Sequence, residues 1–174
     1  MDRRRFIAAC TAVPTGLTFA ALSGCGFRLR SALELPFARL HLAMPPQSEL
    51  YALIKRQIES STSTRIVADP QQADAILHVL GDEQGREILS LSAAGRVREF
   101  ELARRFSYRL TDAQGRELQP PTRIVLRREI TFDDARVLSK ENEEALLQRD
   151  MQLDLVQQLL RRLASGARRS SATP

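Results

Sequence analysis

Phe100-Glu101-Leu102-Ala103-Arg104-Arg105-Phe106-Ser107-Tyr108-Arg109-Leu110 is the stretch that decides the fold. Phe100, Leu102, Phe106, Tyr108 and Leu110 fall on one face of an extended chain, and Glu101, Arg105, Ser107, Arg109 and Thr111 on the other. Only a strand with one buried face needs this period of two. Downstream, Asp112-Ala113-Gln114-Gly115 supplies a turn, with glycine where a positive φ is needed. After Pro120-Pro121 the alternation resumes, with Ile124, Leu126, Ile130 and Phe132 set against Arg127, Glu129 and Thr131. Upstream, Ala93-Ala94-Gly95 reads as a hairpin turn. It leads back to the β-rich run Ala75-Ile76-Leu77-His78-Val79-Leu80 and its continuation over residues 86–91. Gly81 and Gly85 between the two mark a bulge or bend. Arg104 and Arg128 interrupt the apolar faces; the spacing favours snorkelling at a sheet rim, with a ligand role as the alternative.

Outward from these strands the period changes. Leu50, Leu53, Ile54 and Ile58 form one helical face over residues 48–59, with Ser48 suited to cap it. A strand, Arg39-Leu40-His41-Leu42-Ala43-Met44, precedes this helix and stops at Pro45-Pro46. Arg65-Ile66-Val67 follows as a second short strand, broken by Asp69-Pro70. Residues 138–163 return to a period near 3.6. Leu153, Val156, Leu160 and Leu163, flanked by Leu155 and Leu159, lie opposite Asp150, Asp154, Gln157 and Arg161. Arg161 and Arg162 suit a helix C-terminus, and Gly166 is placed to end it. The expected fold is α+β: a mixed, mostly antiparallel sheet of about four strands with two helices packed on one face, the first strand and helix making a split β-α-β crossover. The expected domain spans residues 37–165, and the basic, Ser-rich residues 166–174 form a disordered tail.

The N-terminal 24 residues have a different character. Asp2-Arg3-Arg4-Arg5 opens an apolar run that ends at Leu22-Ser23-Gly24-Cys25 and contains no acid after Asp2. A basic start, an apolar middle and small residues before the cleavage point make a secretory signal over residues 1–24. Pro14 and Gly16 interrupt the run, which falls short of the roughly 20 apolar residues of a spanning helix. The closing four residues resemble the lipobox of bacterial lipoprotein precursors, which makes Cys25 the lipidated first residue of the mature chain and residues 25–36 a tether. Two or more acyl chains anchor stably where one binds marginally. Gly26 follows the cysteine where Asp commonly marks inner-membrane retention in lipoproteins, so the expected location is the outer membrane, on its periplasmic side. Arg3-Arg4-Arg5-Phe6-Ile7 also resembles a twin-arginine export motif, and the export route stays open between that and the general one.

The chain has two cysteines, Cys10 in the export segment and Cys25 at the lipid, so no thiol of the mature domain is free to form a disulfide and the fold must rest on its core. Of the formal +5, residues 1–24 hold a net +2, leaving +3 carried almost wholly by arginine; Lys55 and Lys140 are the only lysines. Arginine forks match phosphate or carboxylate with paired bonds. The same bias follows from a high-GC genome. His41 and His78 sit singly in strands and read as structural. Asp133-Asp134 and Glu143-Glu144 are adjacent in sequence, so within each pair the side chains diverge, and both pairs read as solvated. No nucleophile elbow, phosphate loop or metal-ligand spacing is present, which excludes the enzyme classes that need them. With few aromatics among the arginines, nucleic-acid binding is also excluded, leaving a binding or scaffolding role with no cofactor beyond the lipid on Cys25.

Two segments together carry a family resemblance. One is Cys25-Gly26-Phe27-Arg28-Leu29-Arg30. The other runs from Phe132-Asp133-Asp134 through Ser139-Lys140-Glu141-Asn142-Glu143-Glu144 to Leu159-Leu160-Arg161-Arg162-Leu163. They resemble the two ends of the LptE family, lipopolysaccharide-assembly lipoproteins of Gram-negative outer membranes. The resemblance implies a lipid-anchored plug inside the LptD β-barrel that helps the barrel fold and binds lipopolysaccharide. Lys140 matches the family's basic residue in the loop before the long helix, which is proposed to touch lipopolysaccharide phosphate. The family's second basic position, just before the hairpin glycine, is Ala94 here, and Arg96 and Arg98 just beyond Gly95 are the nearest substitutes. Two alternatives remain: a lipoprotein that binds a small apolar ligand, and one that tethers an acidic envelope polymer.

Overall fold

The structure, a computed structural model, describes residues 33–170. The export segment, Cys25, the tether as far as residue 32 and residues 171–174 lie outside the described residues. The chain runs β1 (Arg39–Ala43), α1 (Glu49–Ser61), β2 (Arg65–Ile66), β3 (Ala75–Leu91), β4 (Val97–Thr111), β5 (Glu117–Thr131) and α2 (Val137–Ser170), with 3-10 turns at Pro70–Gln72 and Asp134–Arg136. The five strands form one sheet in the order β2-β1-β3-β4-β5. Five strands rather than about four arise because the two-residue β2 pairs on the outer side of β1, Arg39 opposite Arg65 and Leu40 opposite Ile66. β1 and β2 are thus direct parallel neighbours, and β1-α1-β2 is a simple crossover rather than a split one. β1 also pairs in parallel with β3, whereas β3, β4 and β5 form an antiparallel meander.

Local chemistry sets the boundaries. Ser48 Oγ accepts the Tyr51 N–H at 3.1 Å and starts α1, and the Thr62 N–H and hydroxyl both close on the Ile58 carbonyl at its end. The two meander turns are built alike: Gly95 and Gly115 stand at φ +73° and +82°, donating to Ser92 and Asp112 three residues back. Gly81 follows a bulge at Leu80, where the β3–β4 register shifts, while Gly85 pairs regularly with Ala103. Pro120 and Pro121 are accommodated because β5 is an edge strand.

Phe100, Leu102, Phe106, Tyr108, Leu110, Ile124, Leu126 and Ile130 are buried in one cluster with Leu40, Leu42 and Leu77, four residues of α1, and Met151, Leu155, Val156, Leu159, Leu160, Leu163 and Ala164 of α2. Both helices therefore cover the same face of the sheet. α1 is about 20 Å long and α2 about 51 Å at 1.5 Å per residue, against about 50 Å for a 15-residue strand, so α2 alone can follow the meander along its length.

Two expectations for α2 change. Leu153, placed in its apolar stripe, is 46 % exposed; Met151 takes its place in a buried stripe that otherwise runs through Leu155, Val156, Leu159, Leu160 and Leu163 as expected. Gly166 does not end the helix, which continues to Ser170. A Cβ at position 166 would come within 2.8 Å of Gln119 Oε1, so glycine there makes room for the Gln119 side chain, whose amide donates to the Tyr108 hydroxyl at 3.1 Å.

Candidate functional site

The sheet extends beyond the part that α2 buries, and a cleft of about 220 Å³ opens between its far end and the first turns of α2. Its floor comes from Phe100 of β4, Ile130 of β5 and Phe132 just beyond β5, the two rings meeting edge-to-face with centroids 5.6 Å apart. Val137, Lys140, Glu141 and Glu144 of α2 make the wall. Across the cleft from β3 comes Arg86, whose guanidinium carbon lies 3.6 Å from the centre of the Phe100 ring. The cleft therefore joins an aromatic and aliphatic floor to two cations on different elements.

Those cations are held by internal acids. Arg86 reaches Glu144 at 3.3 Å, and Lys140 Nζ donates to Glu143 at 2.8 Å and to the Thr131 hydroxyl at 3.1 Å. Glu143 and Glu144, read as a solvated pair, are instead counterions for two different cations, because adjacent helix positions point to different neighbours. Asp133 is likewise engaged: it accepts the Ala135 N–H and pairs with Arg136 at 3.0 Å. The Ala135 N–H bond, and then the Arg136 guanidinium, hold its carboxyl below the ordinary carboxylate range, which fixes the turn into α2.

Of the residues expected at a ligand site, only Lys140 lines this cleft. Arg96 and Arg98 are exposed at the β3–β4 hairpin end; the Arg98 carbonyl accepts the Phe132 N–H at 2.7 Å, which places that residue one step from the floor. Arg86 escaped sequence reasoning. Only the β3–β4 register, which pairs Arg86 with Leu102, puts this cation on the helix-covered face, and no local pattern announces it. Cys25 lies outside the described residues.

Arg104 does not snorkel. It is 4 % exposed, and its guanidinium grips Asp82 with two bonds of 2.9 and 2.8 Å while a third reaches Gln152 of α2 at 3.1 Å. The cause is its position: it faces the helix in the middle of β4, where no rim is within reach, so a carboxylate on the adjacent strand must neutralise it. Arg128, half-exposed on the edge strand, bonds Asp154 of α2 at 2.7 Å. The histidines have structural partners, His41 at the Val67 carbonyl and His78 at the Thr111 hydroxyl, 3.1 and 3.0 Å away.

Among the described residues no helix lies over the opposite face of the meander. In register order its rows are His78–Arg109, Gly81–Ser107–Arg123, Glu83–Arg105–Val125, Gly85–Ala103–Arg127 and Glu87–Glu101–Glu129. Arg127 crosses to Glu101 at 3.1 Å, and Arg123 donates to the Ser107 hydroxyl at 3.3 Å. Among the described residues no cluster of His, Cys, Asp or Glu is placed to hold a metal ion, and no helix is long and apolar enough to cross a membrane.

The α+β fold, a five-stranded sheet with both helices on one face, is also that of solved bacterial lipoproteins. The solution NMR structure of an uncharacterized lipoprotein B from Nitrosomonas europaea shares it with a TM-score of 0.73 and 39 % identity, covering 84 % of this chain and 94 % of that one. The crystal structure of the rare lipoprotein B from Shewanella oneidensis follows it with a TM-score of 0.63 and 26 % identity over 73 % of this chain and 94 % of that one. Residues 37–163 match the model of the lipopolysaccharide-assembly family LptE, and the chain belongs to that family. Among its relatives are the LPS-assembly lipoproteins LptE of Yersinia enterocolitica, 28 % identical over 157 residues, and of Pectobacterium atrosepticum, 27 % identical over 154 residues. The alignments cover 85 % of this chain in both cases, and 72 % and 81 % of the respective relatives.

Proposed function

We propose that this chain is a non-catalytic outer-membrane lipoprotein, anchored through Cys25, which acts as plug and assembly partner of an LptD-type β-barrel during transport and insertion of lipopolysaccharide into the outer leaflet. The observation that supports it is the meander face that neither described helix covers, on which Arg105, Arg109, Arg123 and Arg127 stand among Glu83, Glu87, Glu101 and Glu129 in regular rows. Such a ladder offers charge-assisted bonds to the polar interior of a barrel without burying an unpaired charge. Lys140 is the proposed contact for lipopolysaccharide phosphate, with Arg96 and Arg98 at the neighbouring hairpin end. A lipoprotein that bound a small apolar ligand, or tethered an acidic polymer, would need no barrel.

Copurification tests this directly. A C-terminally tagged chain, extracted from outer membranes in mild detergent, is expected to bring down a large heat-modifiable β-barrel at one-to-one stoichiometry, and depletion of the chain to lower barrel abundance. Recovery of the lipoprotein alone, with barrel levels unchanged on depletion, would overturn the plug.

A further inference from the structure

We propose that the cleft at the α2 N-terminus is an acyl-chain slot, taking the end of one hydrocarbon chain against Phe100, Ile130 and Phe132, with the anionic head of the same amphiphile held between Arg86 and Lys140. The inference rests on the lipopolysaccharide reading above and deepens it: that ligand would be engaged through a chain and a phosphate together rather than through phosphate alone.

Size, lining and charge support it. A cleft of about 220 Å³ exceeds the cavity of about 150 Å³ that admits benzene, and falls below the 300–1,000 Å³ of pockets that enclose whole drug-sized ligands. It therefore suits part of one chain rather than a multi-chain lipid. The apolar floor continues outward, because Ile88, opposite Phe100 on β3, remains 55 % exposed. A small polar solute would leave this floor in contact with water, and a bare hydrocarbon would leave the two cations unused. An acylated anion satisfies both.

The internal acids make the site an exchanger. Arg86 and Glu144 are paired at 3.3 Å with the arginine side chain 42 % exposed, an ion pair of the kind that contributes little in water. A phosphate can replace the Glu144 carboxylate at Arg86, and the Phe100 ring keeps the guanidinium in position while it does so. Glu144 and Glu143 are thus counterions that occupy the cations between ligands and weaken the bound state, as a protein that hands its ligand on requires.

The test uses the full mature chain carrying Cys25→Ser, so that the only acyl chain present is the probe. Dodecyl phosphate below its micellar concentration, inorganic phosphate and dodecyl maltoside are titrated separately and followed by amide NMR shifts. Dodecyl phosphate is expected to move the Phe100, Ile130, Phe132 and Lys140 signals and to bind at least tenfold tighter than either control. Val137→Trp, at a half-exposed wall position, fills the slot and should weaken it tenfold or more. Arg86→Gln should weaken dodecyl phosphate about fivefold without changing dodecyl maltoside. Glu144→Gln, which frees Arg86, should strengthen dodecyl phosphate severalfold. Equal binding of inorganic phosphate, indifference to Val137→Trp, or weakening by Glu144→Gln would overturn the slot. Loss of the slot with barrel copurification intact would leave the plug standing, and binding of dodecyl phosphate by a chain that recruits no barrel would do the reverse.

Discussion

The two halves of α2 differ in what they are for. From Met151 to Ala164 the helix buries seven apolar or small residues in the common core. Over residues 137–150 no residue is fully buried; Leu138 is 78 % and Leu146 58 % exposed, half-buried Leu147 packs against the core, and the polar attachments to the sheet are Lys140 to Thr131 and Glu144 to Arg86. One helix thus carries a stability-bearing half and a half committed to the cleft. Rigid anchoring at one end and weak, exchangeable contacts at the other are the combination that lets a site adapt without unfolding its support.

The contrast can be broken most forcefully by side-chain truncation. Leu159 is fully buried, so Leu159→Ala should cost about 3 kcal/mol in urea unfolding through lost transfer energy and a residual cavity. Leu146→Ala, nine residues before Leu155, the first leucine of the buried stripe, should stay within about 0.5 kcal/mol. Comparable losses at both sites would remove the distinction.

A middle-sized effect is expected at the boundary between the halves, where Arg104 meets Gln152. Arg104→Met leaves Asp82 facing an apolar neighbour, and should cost about 2 kcal/mol, less than a fully buried pair because the Asp82 side chain keeps 25 % of its exposure. Adding Asp82→Asn should recover part of that loss, and a double-mutant cycle that came out additive would refute the coupling.

Legibility followed the same division. The β4 alternation, the two glycine turns and the core half of α2 were readable because burial on one face imposes a strict period. β2 was readable as a strand, but nothing in two residues says which edge of β1 they join. Arg104 was misplaced because its compensating partner, Asp82, sits 22 residues away, and only the β3–β4 register brings them together. Arg86 was missed for the same reason: its site exists only once β3, β4, β5 and α2 meet. Lys140 was found through family resemblance, since a single lysine before a helix has no local signature.

The smallest effect is one of pH, at the turn that launches the cleft-bearing half. Asp133 has a folded pKa below its ordinary value of 3.8, so its contribution is full above that value and is lost as pH falls through the folded pKa. The Tm difference between the parent chain and Asp133→Asn should therefore shrink as pH drops below about 4. A difference that held constant or widened on acidification would show that the Asp133 charge does not secure this turn.

Hydrogen exchange along α2 tests the division most directly. In the full mature chain, amides 141–150 should exchange at least tenfold faster than amides 155–163, and dodecyl phosphate should slow the first group while leaving the second unchanged. Uniform protection along the helix, or protection by dodecyl phosphate confined to the core half, would contradict the account.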